Sequence, residues 1–186
     1  MAGTEKTKTI VLTGLMMCLV LTATYFLKIA TPFQGYVHMG DAMIFLSVLV
    51  LGKKNGALAA GIGSALADLL GGYVAFIPWT LVIKALMAYI MGLFIEIMVK
   101  KHKTNLKIGG VPVIELVGMF IAGAVMVVGY AFADAFIAGN WYTGILSMPA
   151  NCGQFLTGII VAGVLSGALY KTPAKKYFQI RLDEAK

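Results

Sequence analysis

Between Lys8 and Lys28 the chain runs through residues 9–27 without a single charged side chain. A run of about 20 apolar residues is the length an α-helix needs to cross the hydrocarbon core of a bilayer. Comparable runs recur up to Tyr170. The first is longer than a secretory h-region and no small-x-small cleavage site follows it, so it reads as a membrane helix, not a leader. Composition agrees. Residues are 60% hydrophobic and only 12% charged, with mean hydropathy +0.88. Soluble domains carry about 25% charged residues, so this chain lacks the polar surface to coat a soluble globule. The expected fold is an all-α integral membrane protein forming one membrane domain over residues 1–186.

Breakers divide the apolar runs into six expected transmembrane helices, at about 9–29, 41–51, 56–70, 79–99, 111–138 and 150–170. The segment KIATPFQGYVHMGD separates the first two. The second and third would pass for one long span were it not for Lys53 and Lys54, which are costly at the bilayer centre. They therefore read as a hairpin turning at GKKNG. Gly71, Gly72 and Pro78 mark the next turn, KKHKTNLK the one after, and GNWYTGILSM reads as a loop with Pro149 at the start of the last helix.

The charge of +7 carries no sign of nucleic-acid binding: 14 of the 15 basic residues are Lys, set in short clusters between apolar runs. The N-terminus, GKKNG, KKHKTNLK and the C-terminal tail hold all of them but Lys28 and Lys84, and fall on one side of a six-span arrangement. By the positive-inside rule that side, with both termini, is cytoplasmic. The opposite loops carry Tyr36, Tyr73, Trp79, Trp141 and Tyr142, as suits interfacial aromatics. Cys18 and Cys152 lie within apolar segments and read as packing residues. No phosphate-binding loop, metal-ligand spacing or nucleophile elbow is present, so the chain reads as no enzyme and as needing no metal or cofactor of its own.

With this orientation the polar groups gather near the outer face. Asp41 opens the second helix, Asp68 closes the third, and Asp134 lies near the outer end of the fifth. Lys84 lies about 8 Å into the fourth at about 1.5 Å per residue. Asn151 and Gln154 begin the sixth, and Gln34 and His38 in the first outer loop reach the same level. Intramembrane ionisable groups mark function by default. Two readings stay open: the aspartates neutralise Lys84 and hold the bundle, or these groups and the aromatics line an outward-facing small-molecule pocket. Glu96 and Glu115 near the inner ends read as charge partners of the lysines. Nothing polar crosses the centre, which argues against the runner-up reading, an ion-coupled secondary transporter. An intramembrane enzyme using His38 with Asp41 lacks a nucleophile.

Small residues recur every fourth position. Gly56, Ala60 and Ser64, and again Gly163 and Gly167, suit internal helix packing. Gly14, Cys18 and Thr22 on the first helix form a stripe that suits contact with another subunit.

The segment YVHMGDAMIFLSVLVLGKKNGALAAGIGSALADLLGGY, followed by PWTLVIKALMAYIMG, resembles the substrate-binding S components of energy-coupling factor (ECF) transporters. The resemblance implies a six-helix subunit of a prokaryotic cell membrane that captures a vitamin from outside. It would dock on a transmembrane T component carrying two cytoplasmic ATPases. Gly14 and Cys18 stand at the family's small-xxx-small docking motif. Residues 34–39 correspond to its lid, Asn151 and Gln154 to its N-x-x-Q substrate contacts, and Asp41, Asp68 and Lys84 to the charged positions of one subgroup. That subgroup implies hydroxymethylpyrimidine or pyridoxine, with riboflavin or pantothenate as alternatives. Three outer aspartates suit a neutral or weakly basic ring better than a dianion. The shared depth of the polar groups, the interfacial aromatics and the resemblance together give the expected substrate-contacting set: Gln34, Tyr36, His38, Asp41, Asp68, Tyr73, Trp79, Lys84, Asp134, Asn151 and Gln154.

Overall fold

The computed structural model describes residues 2–30, 36–101 and 106–178. In chain order it comprises α1 (Ala2–Phe26), β1 (Lys28–Ala30), β2 (Tyr36–His38), α2 (Gly40–Gly71), α3 (Ile77–Lys101), β3 (Lys107–Ile108), β4 (Val111–Pro112), α4 (Val113–Ala138) and α5 (Trp141–Tyr170). Short 3-10 turns cover Val74–Phe76 and Pro173–Tyr177. Among the described residues, five helices are long and apolar enough to cross a membrane. The chain is thus a multi-pass, all-α membrane protein.

Where six helices were expected, the second and third form one element, α2, broken at Gly52. Gly52 has φ 73 and ψ −178, a backbone state that side chains oppose. The break reverses the chain. The Ser47 hydroxyl reaches the Gly56 carbonyl at 3.4 Å, and a methyl on Gly56 would lie 2.9 Å from the Val48 Cα. In a straight helix residues 48 and 56 would stand about 12 Å apart. The turn is tighter than GKKNG implied: Lys53 to Gly56 are already helical. Lys53 leaves the apolar interior through an ion pair with Glu96 at 2.6 Å.

The second limb of α2 runs antiparallel to α3, with Gly61 against the Leu81 carbonyl and Gly92 against the backbone of Lys53. On its other side Gly63 meets the Met17 carbonyl and Val20 of α1. These close approaches are what small residues permit in lipid. Helix α4 packs on α3, and α5 closes the bundle against α4 and the first limb of α2. Met87, Met91, Met119 and Met126 fill the centre beside Phe45 and Ile95. Lys8 lies 5.6 Å from the Tyr177 ring, so both terminal segments sit at one end of the bundle.

Helix α5 begins at Trp141, not near residue 150. Asn140 caps it by accepting the Tyr142 N–H at 2.9 Å, and Pro149 lies inside it. Gly144 presses on the Ala131 carbonyl of α4, which holds this first part of the helix to the bundle. At the far end β1 and β2 pair antiparallel, with Lys28 opposite His38 and Ala30 opposite Tyr36. This ladder closes the connection between α1 and α2.

Candidate functional site

Asp41 and Lys84 meet between α2 and α3, both 0% exposed, with Lys84 Nζ donating to Asp41 Oδ1 at 2.5 Å. Such a pair survives in a dry interior only if its remaining valences are satisfied. Gln154 Nε2 donates to Asp41 Oδ2 at 2.8 Å, and Lys84 Nζ stands 5.2 Å from the Tyr130 ring centre, a cation–π distance. The other end of the Gln154 amide accepts the backbone N–H of His38 at 3.0 Å. One side chain of α5 therefore ties the buried ion pair to strand β2.

His38 is itself fixed. Its Nδ1 accepts the Gly40 N–H at 3.0 Å, so the neutral ring carries its proton on Nε2. Burial pushes its pKa down to about 3, helped by the charges of Lys84 and Lys28 and opposed by Asp41. The ring is neutral at any physiological pH. Gly40 has to be glycine, because a methyl there would run into Thr24 Oγ1 and His38 Nδ1.

Above this network lies a narrow cleft. Its polar wall is made by Thr24, His38, Asp68, Asn151 and Gln154, and its aromatic wall by Tyr73, Phe76 and Tyr130, with Thr80 at its edge. Thr80 and Tyr130 share a hydrogen bond of 3.0 Å. Asp68 is 3% exposed. Lys28 stands beside the cleft, 4.6 Å from the Tyr25 ring and 5.4 Å from that of Tyr73. The enclosed volume is about 40 Å³. Pockets for drug-sized ligands measure about 300–1,000 Å³, so a ring enters only if a wall moves.

Of the residues expected to contact substrate, His38, Asp68, Tyr73, Asn151 and Gln154 are brought together on this cleft. Asp41 and Lys84 lie behind it, bonded to each other. Asp134 faces the Ser147 hydroxyl between α4 and α5, away from the cleft. Trp79 stacks on Phe136 at 5.3 Å and lines a separate apolar groove of about 460 Å³ with Phe132, Asn140 and Trp141. Gln34 falls outside the described residues, and of Tyr36 only the backbone is described. Thr24, Phe76, Thr80 and Tyr130 were not expected. Thr80 precedes Lys84 by one helical turn, a spacing that puts the two on one face. For Thr24 and Tyr130 the sequence carries no such signal.

The stripe on α1 faces outward. Gly14, Cys18 and Thr22 are exposed, and nothing lies within 4 Å of where a Gly14 side chain would be. Met16, by contrast, turns into the core. Only 22% of the apolar window of α1 is buried, against 61% for α2, so this helix lies at the edge of the bundle.

A family profile described as "ECF-type riboflavin transporter, S component" matches residues 4–171. A protein of Pyrococcus woesei, described as an uncharacterized protein in the gap 3'region, is 35% identical over 153 residues, which are 82% of this chain and 95% of that relative.

Proposed function

This chain belongs to the S components of ECF-type transporters, and from that premise we propose that it captures a single-ring vitamin or precursor, hydroxymethylpyrimidine or pyridoxine, in the cleft lined by residues of α1, α2, α3, α4 and α5. S components are substrate-binding membrane subunits, not enzymes. In this reading the domain crosses a prokaryotic cell membrane six times, the two limbs of α2 counting separately, with both termini cytoplasmic and the cleft outward. The clustering of lysines at the end that holds both termini supports that orientation.

The observation that carries the reading is the pairing of a polar wall, with Asp68 as its acidic group, with an aromatic one. Lys84 is occupied by Asp41, His38 is neutral, and Asp68 is a carboxylate on the cleft. That wall suits an uncharged or weakly basic ring bearing hydroxyl or amino groups, and Tyr73, Phe76 and Tyr130 suit stacking on it. The β1–β2 ladder serves as the lid. It brings His38 to the cleft wall and is short, and the Gln154–His38 bond holds it to the core.

Energy comes from outside the chain. The exposed Gly14–Cys18–Thr22 stripe is the proposed docking face for a T component, which brings two cytoplasmic ATPases. A second reading, riboflavin as ligand, is favoured by the family description alone. Titration calorimetry on purified full-length protein with hydroxymethylpyrimidine, pyridoxine and riboflavin tests the choice. Tight binding of one of the single-ring compounds without ATP is expected. Preference for riboflavin would replace the ligand but keep the mechanism, and binding of none would remove the proposal.

A further inference from the structure

Two hydroxyls, those of Thr24 and Ser64, are buried with no hydrogen-bond partner among the described residues. Thr24 is 1% exposed and Ser64 0%. Both belong to helices, where a hydroxyl has a ready acceptor in the carbonyl of the preceding turn. Thr9, Thr13, Ser147 and Thr157 each use it. Thr24 and Ser64 do not. Their surroundings differ: Ser64 lies away from the cleft, whereas Thr24 forms part of its wall. The bare backbone of Gly40 leaves the Thr24 hydroxyl its place beside His38.

We propose that Thr24 is a specificity-determining residue whose hydroxyl, together with Asp68 on the same cleft, takes the hydroxyl- or amino-bearing edge of the bound ring. The inference rests on the reading of the cleft as the ligand site. A buried hydroxyl without a partner is a cost to the ligand-free protein. A ligand group that completes the bond removes that cost only in the complex. The site then favours rings that carry such a group over isosteres that lack it, because those leave Thr24 unpaired.

The two states predict effects of opposite sign. Thr24→Val keeps the shape and deletes the hydroxyl. It should raise the thermal midpoint of the ligand-free protein while weakening the probe that binds. The probes are hydroxymethylpyrimidine, pyridoxine and riboflavin, titrated calorimetrically into full-length protein in detergent. The expected loss is at least tenfold, about 1.4 kcal/mol, with Thr24→Ser staying within about threefold of the native affinity. Ser64→Ala, the control, should raise the midpoint and leave affinity unchanged. Native-like affinity in Thr24→Val overturns this inference and leaves the site reading standing. So does a loss of affinity matched by a loss of stability, which would mark a packing role. If the native protein binds none of the three probes, the site reading fails and takes this inference with it. Should Thr24→Val not fold, Thr24→Ala decides by the same affinity criterion.

Discussion

Gln154 commits both ends of its amide to the protein, one to Asp41 and one to the His38 backbone. It holds strand β2 to the buried ion pair, so Gln154→Ala should loosen that strand and leave Asp41 one partner short. We expect a loss of about 1–3 kcal/mol in stability, the cost of a buried unsatisfied group, together with weaker ligand retention, read by thermal unfolding and by ligand off-rate. Lys84→Met is harsher. It strands a carboxylate that is 0% exposed and should cost about 3–5 kcal/mol, whereas replacing both Asp41 and Lys84 by apolar residues should restore much of it. His38 gives a pH signature. The folded site holds the ring neutral down to about pH 3, whereas an unfolded histidine takes a proton at about 6.5. Between those values only the unfolded form gains the proton. The stability this group contributes is therefore complete above about 6.5 and falls on acidification toward 3. His38→Asn keeps an acceptor for the Gly40 N–H and should flatten that part of the midpoint-versus-pH curve. Helical spacing and charge made the shared depth of Asp41, Lys84 and Gln154 legible in the sequence. Their bonding to one another was not, because it depends on how each helix is rotated about its axis. Thr24 was invisible for a plainer reason: a lone threonine in an apolar helix reads as packing.

Helix breakers were informative where they carry a charge or need a special backbone state, and misleading where lipid relaxes the rule. Lys53 and Lys54 identified the reversal in α2, and Gly52 makes it with φ 73. An alanine there would be forced into a region that is essentially glycine-only. Gly52→Ala should therefore cost about 1–3 kcal/mol, visible as a lower thermal midpoint, with little change in the affinity of the folded fraction. Pro149 misled in the opposite direction. Proline inside a soluble helix usually ends it. In a membrane bundle, neighbouring helices and local adjustment re-satisfy the freed carbonyl, and α5 runs from Trp141 straight through it. The segment GNWYTGILSM thus supplies a helix end resting on α4 where a loop was expected.

At the scale of the molecule, the two ends of the bundle are chemically unlike. One gathers lysines and both terminal segments; the other holds the cleft and the β1–β2 ladder. The free face of α1 runs between them, and it should be separable from the cleft by mutation. Gly14→Trp or Cys18→Trp adds bulk where the bundle makes no contact, so ligand binding and folding should persist while copurification with a T component is lost. Asn151→Ala should do the reverse. Equal damage to binding by both kinds of change would mean that docking face and site are not distinct. The most direct test of capture at the cleft is mass spectrometry of whatever small molecule leaves the purified, full-length protein on denaturation. A single heteroaromatic compound with hydroxyl or amino substituents, near one per chain and depleted in Asn151→Ala, is the expected result. A protein that releases no such compound, and takes up none when offered the single-ring vitamins or riboflavin, would contradict it.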